Sequence, residues 1–339
     1  MRRLAAALSL LGCLACAAPG DAPAPPDVVL VVVDTLRADH VGWDGYRRDT
    51  TPNLDRLAAE SVVYSQARAQ APCTSPSVNS LLTSRHPWTF TGRPYGHLGI
   101  PRDVPTVATL LRDAGYRTAA VSASPVVRAR PNEINREGGF GQGFDLFLDG
   151  CERRDAACVN RRAETLLRLL PSPRFFYLHY FDPHDPYAAP EGAGFAGSYG
   201  GGDEAVGEGD PLPAVRRLHE TGDAGLSAAE VAHLVDRYDD EIAWVDEQLG
   251  ELIAGLDLDR TLLIVTSDHG ESFLEHGHLQ HCRSLYDEEI RVPLLVRPPG
   301  GTAATRVDDP VALLDVAPTL LDWAGVGRGE GMVGRSLRG

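Results

Sequence analysis

Residues Asp27–Thr35 read DVVLVVVDT, and the fold turns on them. Six apolar residues in a row, five of them valine, leave no alternation between a wet and a dry face. Such a run predicts a strand buried on both sides within a parallel sheet, where β-branched side chains fit the pleat. The run stops at Asp34. Ligands in open α/β sheets bind beyond the carboxyl ends of strands, so this carboxylate starts a site where it ends a strand.

The pattern repeats outward from there. Thr51–Glu60 (TPNLDRLAAE) predicts a helix with proline in its first turn. Val104–Tyr116 predicts a second helix stopped by Gly115, and Arg117–Ser124 a short strand. A helix over Asn160–Leu170, a strand over Arg174–Phe181 (RFFYLHYF) and a long helix opened by the capping box Ser227–Glu230 follow. Along that helix Val231, Leu234, Tyr238, Ile242, Val245, Leu249 and Leu252 keep three-to-four spacing, an apolar stripe for packing on a sheet. The strand TLLIVTSDHGE (Thr261–Glu271), the segment RVPLLVRPP (Arg291–Pro299) and a helix around Val311–Gly325 close the series. Alternation of this kind predicts a wound α/β sheet. The Gly-rich, acidic stretch Pro190–Leu226 is expected to be a mobile surface loop rather than a domain boundary.

The first 18 residues place Arg2 and Arg3 before a short apolar run and small residues, the layout of an export leader and too short to span a membrane. Leu10-Leu11-Gly12-Cys13 resembles a bacterial lipoprotein box, which would make Cys13 a lipidated first residue; the alternative is a plain leader cleaved near Ala18. Residues 19–26 then form a Pro-rich tether. The expectation is an exported protein, periplasmic or on the cell envelope, meeting a membrane only through that lipid anchor. A formal charge of −15 with no basic run argues against nucleic acid as a partner. Beyond the leader, Cys73, Cys151, Cys158 and Cys282 remain in an oxidising setting where disulfides persist. The spacing in Gly150–Asn160 lets Cys151 and Cys158 close a short surface loop.

Three strand ends deliver polar residues: Asp34, the pair Asp268-His269, and the stretch His179–His184. Any of these alone is more often a cap or a satisfied buried group. Together they form a plausible divalent-metal shell, because carboxylates gathered on one buried edge repel unless a cation neutralises them.

DVVLVVVDTLRADHVGWDGY, TPNLDRLAAES, TSPSVNSLLTS, HYFDPHDPY, YDDEIAWVDEQLGEL, TSDHGESFLEHG and LYDEEIRVPLLVRPPG resemble, in this order, the successive blocks of the sulfatase family within the alkaline phosphatase superfamily. The likeness runs from Asp27 to about Leu337, so residues 27–339 are expected to be one catalytic domain. It implies a three-layer α/β/α sandwich with a mostly parallel central sheet, a metal at the strand tips and a nucleophile at a helix start. The small C-terminal subdomain of many sulfatases is expected to be missing after GRSLRG, leaving a more open pocket.

One step of register then decides the chemistry. Sulfatases carry a block resembling CxPSR, whose cysteine is oxidised to formylglycine. Aligned on Pro76 and Ser77, this chain has Thr74 in the nucleophile position, Cys73 one residue early, and Val78 where the arginine belongs. No formylglycine is expected. A threonine hydroxyl bound to a dication becomes a competent nucleophile without modification, and a site just before a helix near Ser77 favours an anion.

By the same resemblance, His184 touches the transferred group or the leaving oxygen, and His281 stands where many sulfatases have a lysine. Either imidazole could hydrogen-bond an oxygen or protonate an alkoxide. His276 and Asn79 complete the candidate substrate contacts, His276 the weaker histidine; His179 is read as a strand-end structural residue and Asp182 as orienting His184. The metal set is Asp34, Thr74, Asp268 and His269, with Thr35 where relatives often have a second aspartate. One imidazole ligand favours a single Mn²⁺ or Zn²⁺ over Ca²⁺, which prefers an all-oxygen shell. The expected activity is metal-dependent hydrolysis or transfer of phosphate, phosphonate or sulfate esters, small or lipid-linked, through a covalent intermediate on Thr74, with phosphoryl transfer favoured over sulfuryl. The alternatives are an authentic sulfuric ester hydrolase and a noncatalytic envelope lipoprotein. Adjacency of Cys73 to Thr74 and of Cys282 to His281 raises a disulfide across the pocket, which an alpha-carbon separation beyond about 7 Å would exclude. Two unpaired structural cysteines are the other reading.

Overall fold

The computed structural model describes residues 24–90, 99–130, 139–151, 155–189, 194–195 and 213–338. The leader with Cys13, Cys16 and Ala18 lies outside these, as does the tether up to residue 23. In chain order the elements are β1 (Asp27–Val33), α1 (Pro52–Ala58), β2 (Val62–Tyr64), β3 (Ala67–Arg68), α2 (Thr74–Thr83), α3 (Val107–Asp113), β4 (Arg117–Ser122), β5 (Leu146–Leu148), α4 (Ala156–Leu169) and β6 (Arg174–Tyr180). Then follow α5 (Pro213–Thr221), α6 (Ala228–Ala254), β7 (Thr261–Ser267), β8 (Ser272–Phe273), β9 (Leu279–Gln280), α7 (Asp287–Ile290), β10 (Leu294–Arg297), β11 (Thr305–Val307), β12 (Val311–Ala312) and α8 (Val316–Trp323).

The main sheet has the order β11-β2-β10-β7-β1-β6-β4-β5. Strands β7, β1, β6, β4 and β5 run parallel, whereas β10 is antiparallel to both β7 and β2. β1 sits in the middle, and all seven of its residues are buried. Its side chains divide by parity. Val29, Val31 and Val33 enter a core shared with Leu54 of α1, Leu166 of α4 and Ile242 of α6, while Val28, Leu30 and Val32 enter one shared with Leu81 of α2, Leu111 of α3 and Leu320 of α8. Helices on both faces of a mostly parallel sheet make three layers, as the apolar run requires: each such side chain taken out of water contributes about 1.5–3 kcal/mol, and only two covered faces can collect that from every residue.

Two elements differ from the sequence expectation. Helix α2 starts at Thr74 rather than near Ser77, with extended Cys73 as its N-cap. A proline in the first turn lacks only an N–H that has no helical partner there, so Pro76 does not delay the start. Within the expected Pro190–Leu226 loop, Pro213–Thr221 forms helix α5, which buries Ala214 and Val215; its short amphipathic pattern is masked in the sequence by Gly-rich flanks. The Ser227–Glu230 capping box forms at the head of α6. No helix among the described residues is long and apolar enough to cross a membrane.

Candidate metal centre at the strand tips

Parallel register assembles the first half of the site. The last pairs of β1 are Val33 with Ser267 of β7 and Val33 with Tyr180 of β6. The next residues along are Asp34 and Asp268, so two carboxylates emerge side by side from adjacent strand tips, with His269 following. One ligand atom from each of Asp34, Asp268 and His269 lies within 4.8 Å of the others, all three residues being buried. Thr35, immediately past Asp34, turns in the left-handed region at φ +58°, and its N–H lies 3.3 Å from Asp268 Oδ1.

The second half arrives on α2. Ser77 Oγ donates to the Asp268 carbonyl at 2.5 Å, docking the first turn of the helix against the tip of β7. Thr74 Oγ1 then lies 3.1 Å from His269 Nε2. His269 Nδ1 faces the Gly270 carbonyl at 3.0 Å, which assigns the proton to Nδ1 and leaves the Nε2 lone pair aimed into the pocket. Gly270 itself has no room for a side chain: a Cβ there would collide with the Glu288 carbonyl.

The donor set fits a divalent cation. Asp34 Oδ1 and Asp268 Oδ2 are buried with no hydrogen-bond partner, an uncommon condition for carboxylate oxygens. Burial first, then repulsion from Asp268, pushes Asp34 up to about 8 against the opposing pull of His184 and His269. A cation removes both costs at once. A buried relay fixes Asp34 from behind. Tyr177 Oη is 2.7 Å from His179 Nδ1, and His179 Nε2 is 3.3 Å from Asp34 Oδ2. Burial lowers the His179 pKa to about 4, so the ring is neutral, accepts from the tyrosine and donates to Asp34. The structural strand-end residue expected from sequence therefore orients a candidate ligand.

Two further imidazoles face this cluster. The rings of His184 and His281 are 4.7 Å apart, and those of His269 and His281 4.5 Å apart. His184 stacks on Phe181 and donates from Nδ1 to the Asp185 carbonyl at 2.8 Å, with Asp185 Oδ1 3.2 Å away. Burial alone would lower its pKa, but Asp34, Asp185 and Glu271 together raise it. Asp185, next in the chain, thus holds the His184 ring through both its carbonyl and its carboxylate. His281 Nδ1 is 3.1 Å from Glu271 Oε1. Burial, then the neighbouring His184, lowers the His281 pKa to about 4, while burial and Asp185 raise Glu271 to about 8. The sequence contains no lysine, so no primary side-chain ammonium can face the pocket.

Glu271 and Asp185 escaped the sequence reading. Their signal was adjacency: Glu271 closes the Asp268-His269-Gly270 turn, and Asp185 follows His184. Asn79 and His276 make their own contacts with other groups. Asn79 lies five residues beyond Thr74, about 140° further round the helix, and its amide donates to the Gly99 carbonyl at 3.1 Å. His276 is half-exposed, pairs with Glu288 at 2.6 Å and stacks on Tyr286. Of the readings left open for the four cysteines, the bonded ones hold: Cys73–Cys282 with alpha carbons 4.9 Å apart and Cys151–Cys158 at 5.9 Å.

Comparison with known proteins gives the family. The chain is 24% identical over 364 residues to the uncharacterized sulfatase YidJ of Escherichia coli K12, covering 92% of this chain and 70% of that one. It is 27% identical over 403 residues to the multifunctional alkaline phosphatase superfamily protein PehA of Trinickia caryophylli, covering 92% and 76%. Its fold superposes on the phosphonate monoester hydrolase of Silicibacter pomeroyi with a TM-score of 0.71 at 22% identity, over 92% of this chain and 76% of the other. The family model described as Sulfatase matches residues 26–326, nearly the whole of the described domain, and the chain belongs to the sulfatase family.

Proposed function

We propose that this sulfatase-family hydrolase acts on phosphate or phosphonate esters and that Thr74 is its nucleophile. The observation that carries the reading is the placement of Thr74 Oγ1 3.1 Å from His269 Nε2, beside the carboxylates of Asp34 and Asp268. Asp34, Asp268, His269 and Thr74 would hold one divalent ion, with Mn²⁺ or Zn²⁺ favoured by the imidazole. When bound, the ion supplies Lewis acidity that lowers the hydroxyl pKa and draws charge from a tetrahedral anion.

The remaining steps belong to the chain's own groups. Thr74 Oγ1, its proton released to solvent, attacks phosphorus, forming a P–O bond to threonine as the bond to the leaving alkoxide breaks. His184, the imidazole whose pKa is raised, gives its Nε2 proton to that alkoxide, while the Asp185 carbonyl holds Nδ1. His281, neutral and fixed by Glu271, hydrogen-bonds a non-bridging oxygen of the transferred group. Water or an acceptor alcohol then attacks phosphorus, giving its proton to the now neutral His184 Nε2, as the P–O bond to Thr74 breaks and the threonine oxygen is released.

Threonine supports phosphoryl over sulfuryl transfer, because a threonyl sulfate lacks the aldehyde-forming collapse open to a formylglycine hydrate. Support for phosphonate chemistry also comes from the likeness to the Silicibacter pomeroyi enzyme. The test is turnover of nitrophenyl phosphate, phenyl phosphonate and sulfate esters by metal-loaded protein, with peptide mass analysis after an acid quench. A phosphoryl or phosphonyl adduct on Thr74 is expected. Preferential turnover of the sulfate ester, or a formyl group at residue 73, would replace this reading with that of an authentic sulfuric ester hydrolase. No turnover of any ester would point to a noncatalytic envelope protein. Export and a lipid anchor at Cys13 belong to the same proposal, and metabolic labelling with a fatty acid tests the anchor.

A further inference from the structure

We propose that the Cys73–Cys282 disulfide is a positioning cross-link that holds His281 across the pocket from Thr74, so that its reduction cuts turnover while the metal centre stays intact. This rests on the functional reading above for its catalytic consequence and on geometry alone for its structural one. The bond joins residues 209 apart in sequence, and each partner is the immediate neighbour of a site residue: Cys73 precedes Thr74 and Cys282 follows His281.

The two ends differ in how firmly they are held otherwise. On the Thr74 side, nine of the ten residues of α2 are buried and Ser77 fastens the helix to Asp268. That end is fixed without a cross-link. His281, by contrast, lies between two-residue β9 and four-residue α7. The chain passes through left-handed conformations on both sides of it, φ +64° at Gln280 and +66° at Cys282. Neither residue is glycine, so this path needs an external constraint to persist. Three ties provide it: the disulfide, the Cys282 N–H donating to the Pro72 carbonyl at 2.7 Å, and the Glu271 carboxyl at His281 Nδ1. Beyond Cys282, the Glu289 carboxylate receives the N–H groups of Arg283 and Ser284, which anchors the loop but not the ring of His281.

Cys282 is exposed, whereas Cys151 and Cys158 are buried, so a soluble dithiol reaches the pocket cross-link first. The exchange is balanced: the two disulfide sulfurs take two electrons and two protons from the dithiol, which leaves as its own disulfide. Misplacement of a positioned group by about 1 Å costs up to about a hundredfold, so a tenfold or larger fall in kcat is expected on reduction, with bound metal unchanged.

The test titrates the metal-loaded protein with dithiothreitol, maps alkylated cysteines by mass, and follows kcat, metal content and the nitrogen-15 resonances of the His281 ring, identified by their loss in H281Q. The expected results are a fall in kcat and a shift of the His281 signals in step with loss of the 73–282 bond, both restored on reoxidation, and a matching fall in C73S/C282S. In H281Q, reduction should change kcat less than twofold. Unchanged His281 resonances after cleavage, or an undiminished effect of cleavage in H281Q, would overturn the proposal. Should no ester be turned over, the ring resonances still decide the cross-link, and only the catalytic reading is lost.

Discussion

The two halves of the pocket are held by different means. Asp34, Asp268 and His269 leave the tips of neighbouring central strands, where register alone brings them together. His184 and His281 leave loops, and a few local ties set their positions: Asp185 and the Phe181 ring for His184, Glu271 and the Cys73–Cys282 bond for His281. The sheet half resists displacement because moving it requires breaking a core, whereas the loop half moves when one or two contacts are lost. The candidate metal ligands sit on the half that cannot drift. The groups expected to choose and release the substrate sit on the half that can.

The sharpest way to break this comparison is to attack the sheet half. Chelation of the metal, or Asp268→Asn, is expected to reduce turnover to background. Thr74→Ala is expected to lower kcat by about 10³–10⁶-fold, the range for loss of a nucleophile, with Thr74→Ser retaining part of the activity. Stability should move the other way. Asp34→Asn removes a buried repulsion with Asp268, so the metal-free variant is expected to melt higher than metal-free wild type while gaining less on metal addition. Scanning calorimetry with and without Mn²⁺ checks both signs; a metal-free variant that melts lower would mean Asp34 is stabilised by contacts other than a cation.

The relay behind Asp34 provides an intermediate case. His179→Leu leaves Asp34 ionisable but unoriented, and a loss of about 10–100-fold in metal affinity is expected, measured by competition with a fluorescent chelator. On the loop half, Glu271→Gln keeps a hydrogen-bond partner for His281 but removes the titratable carboxyl. A fall of about tenfold or less in kcat, with metal affinity unchanged, is expected there. Equal losses of metal affinity in the two variants would erase the distinction between the halves.

That division also explains what could be read from the chain alone. Val28–Val33 dictates a two-faced strand, and a strand tip beside another tip dictates where Asp34 meets Asp268; both follow from period and parity, which sequence displays. The cysteine pairing was legible only as adjacency to Thr74 and His281. Glu271 and Asp185 were not legible, because a buried carboxylate beside a histidine differs from a solvated one only in what folds over it. Membership of a recognisable block likewise says nothing about which side of α2 carries Asn79, whose amide donates to the Gly99 carbonyl. The start of α2 was missed because Pro76 suggests a boundary when it only occupies a first turn.

Arg37 joins the two halves and yields the smallest effect. It lies three residues beyond Asp34, yet its guanidinium donates to the Glu271 carbonyl at 2.9 Å and pairs with Glu275 at 2.5 Å, so the segment leaving β1 grips the backbone of the loop. Asp39 completes the arrangement through a two-pronged contact at 2.9 and 2.8 Å. Burial would raise the Asp39 pKa, but the hydrogen bonds and charge of Arg37 outweigh it and lower the carboxyl to about 2. A folded pKa below the unfolded one means stabilisation that is present above about pH 4 and lost as pH falls toward 2. Because half of the Asp39 side chain is in solvent, that contribution is small, under about 1 kcal/mol. Asp39→Asn is therefore expected to lower the thermal midpoint slightly at pH 7 and to converge with wild type near pH 2, while kcat holds, since Arg37 keeps its grip on Glu271. A drop in kcat at constant midpoint would instead place Asp39 in the alignment of the loop, and the boundary between the two halves would have to be moved to include the turn after β1.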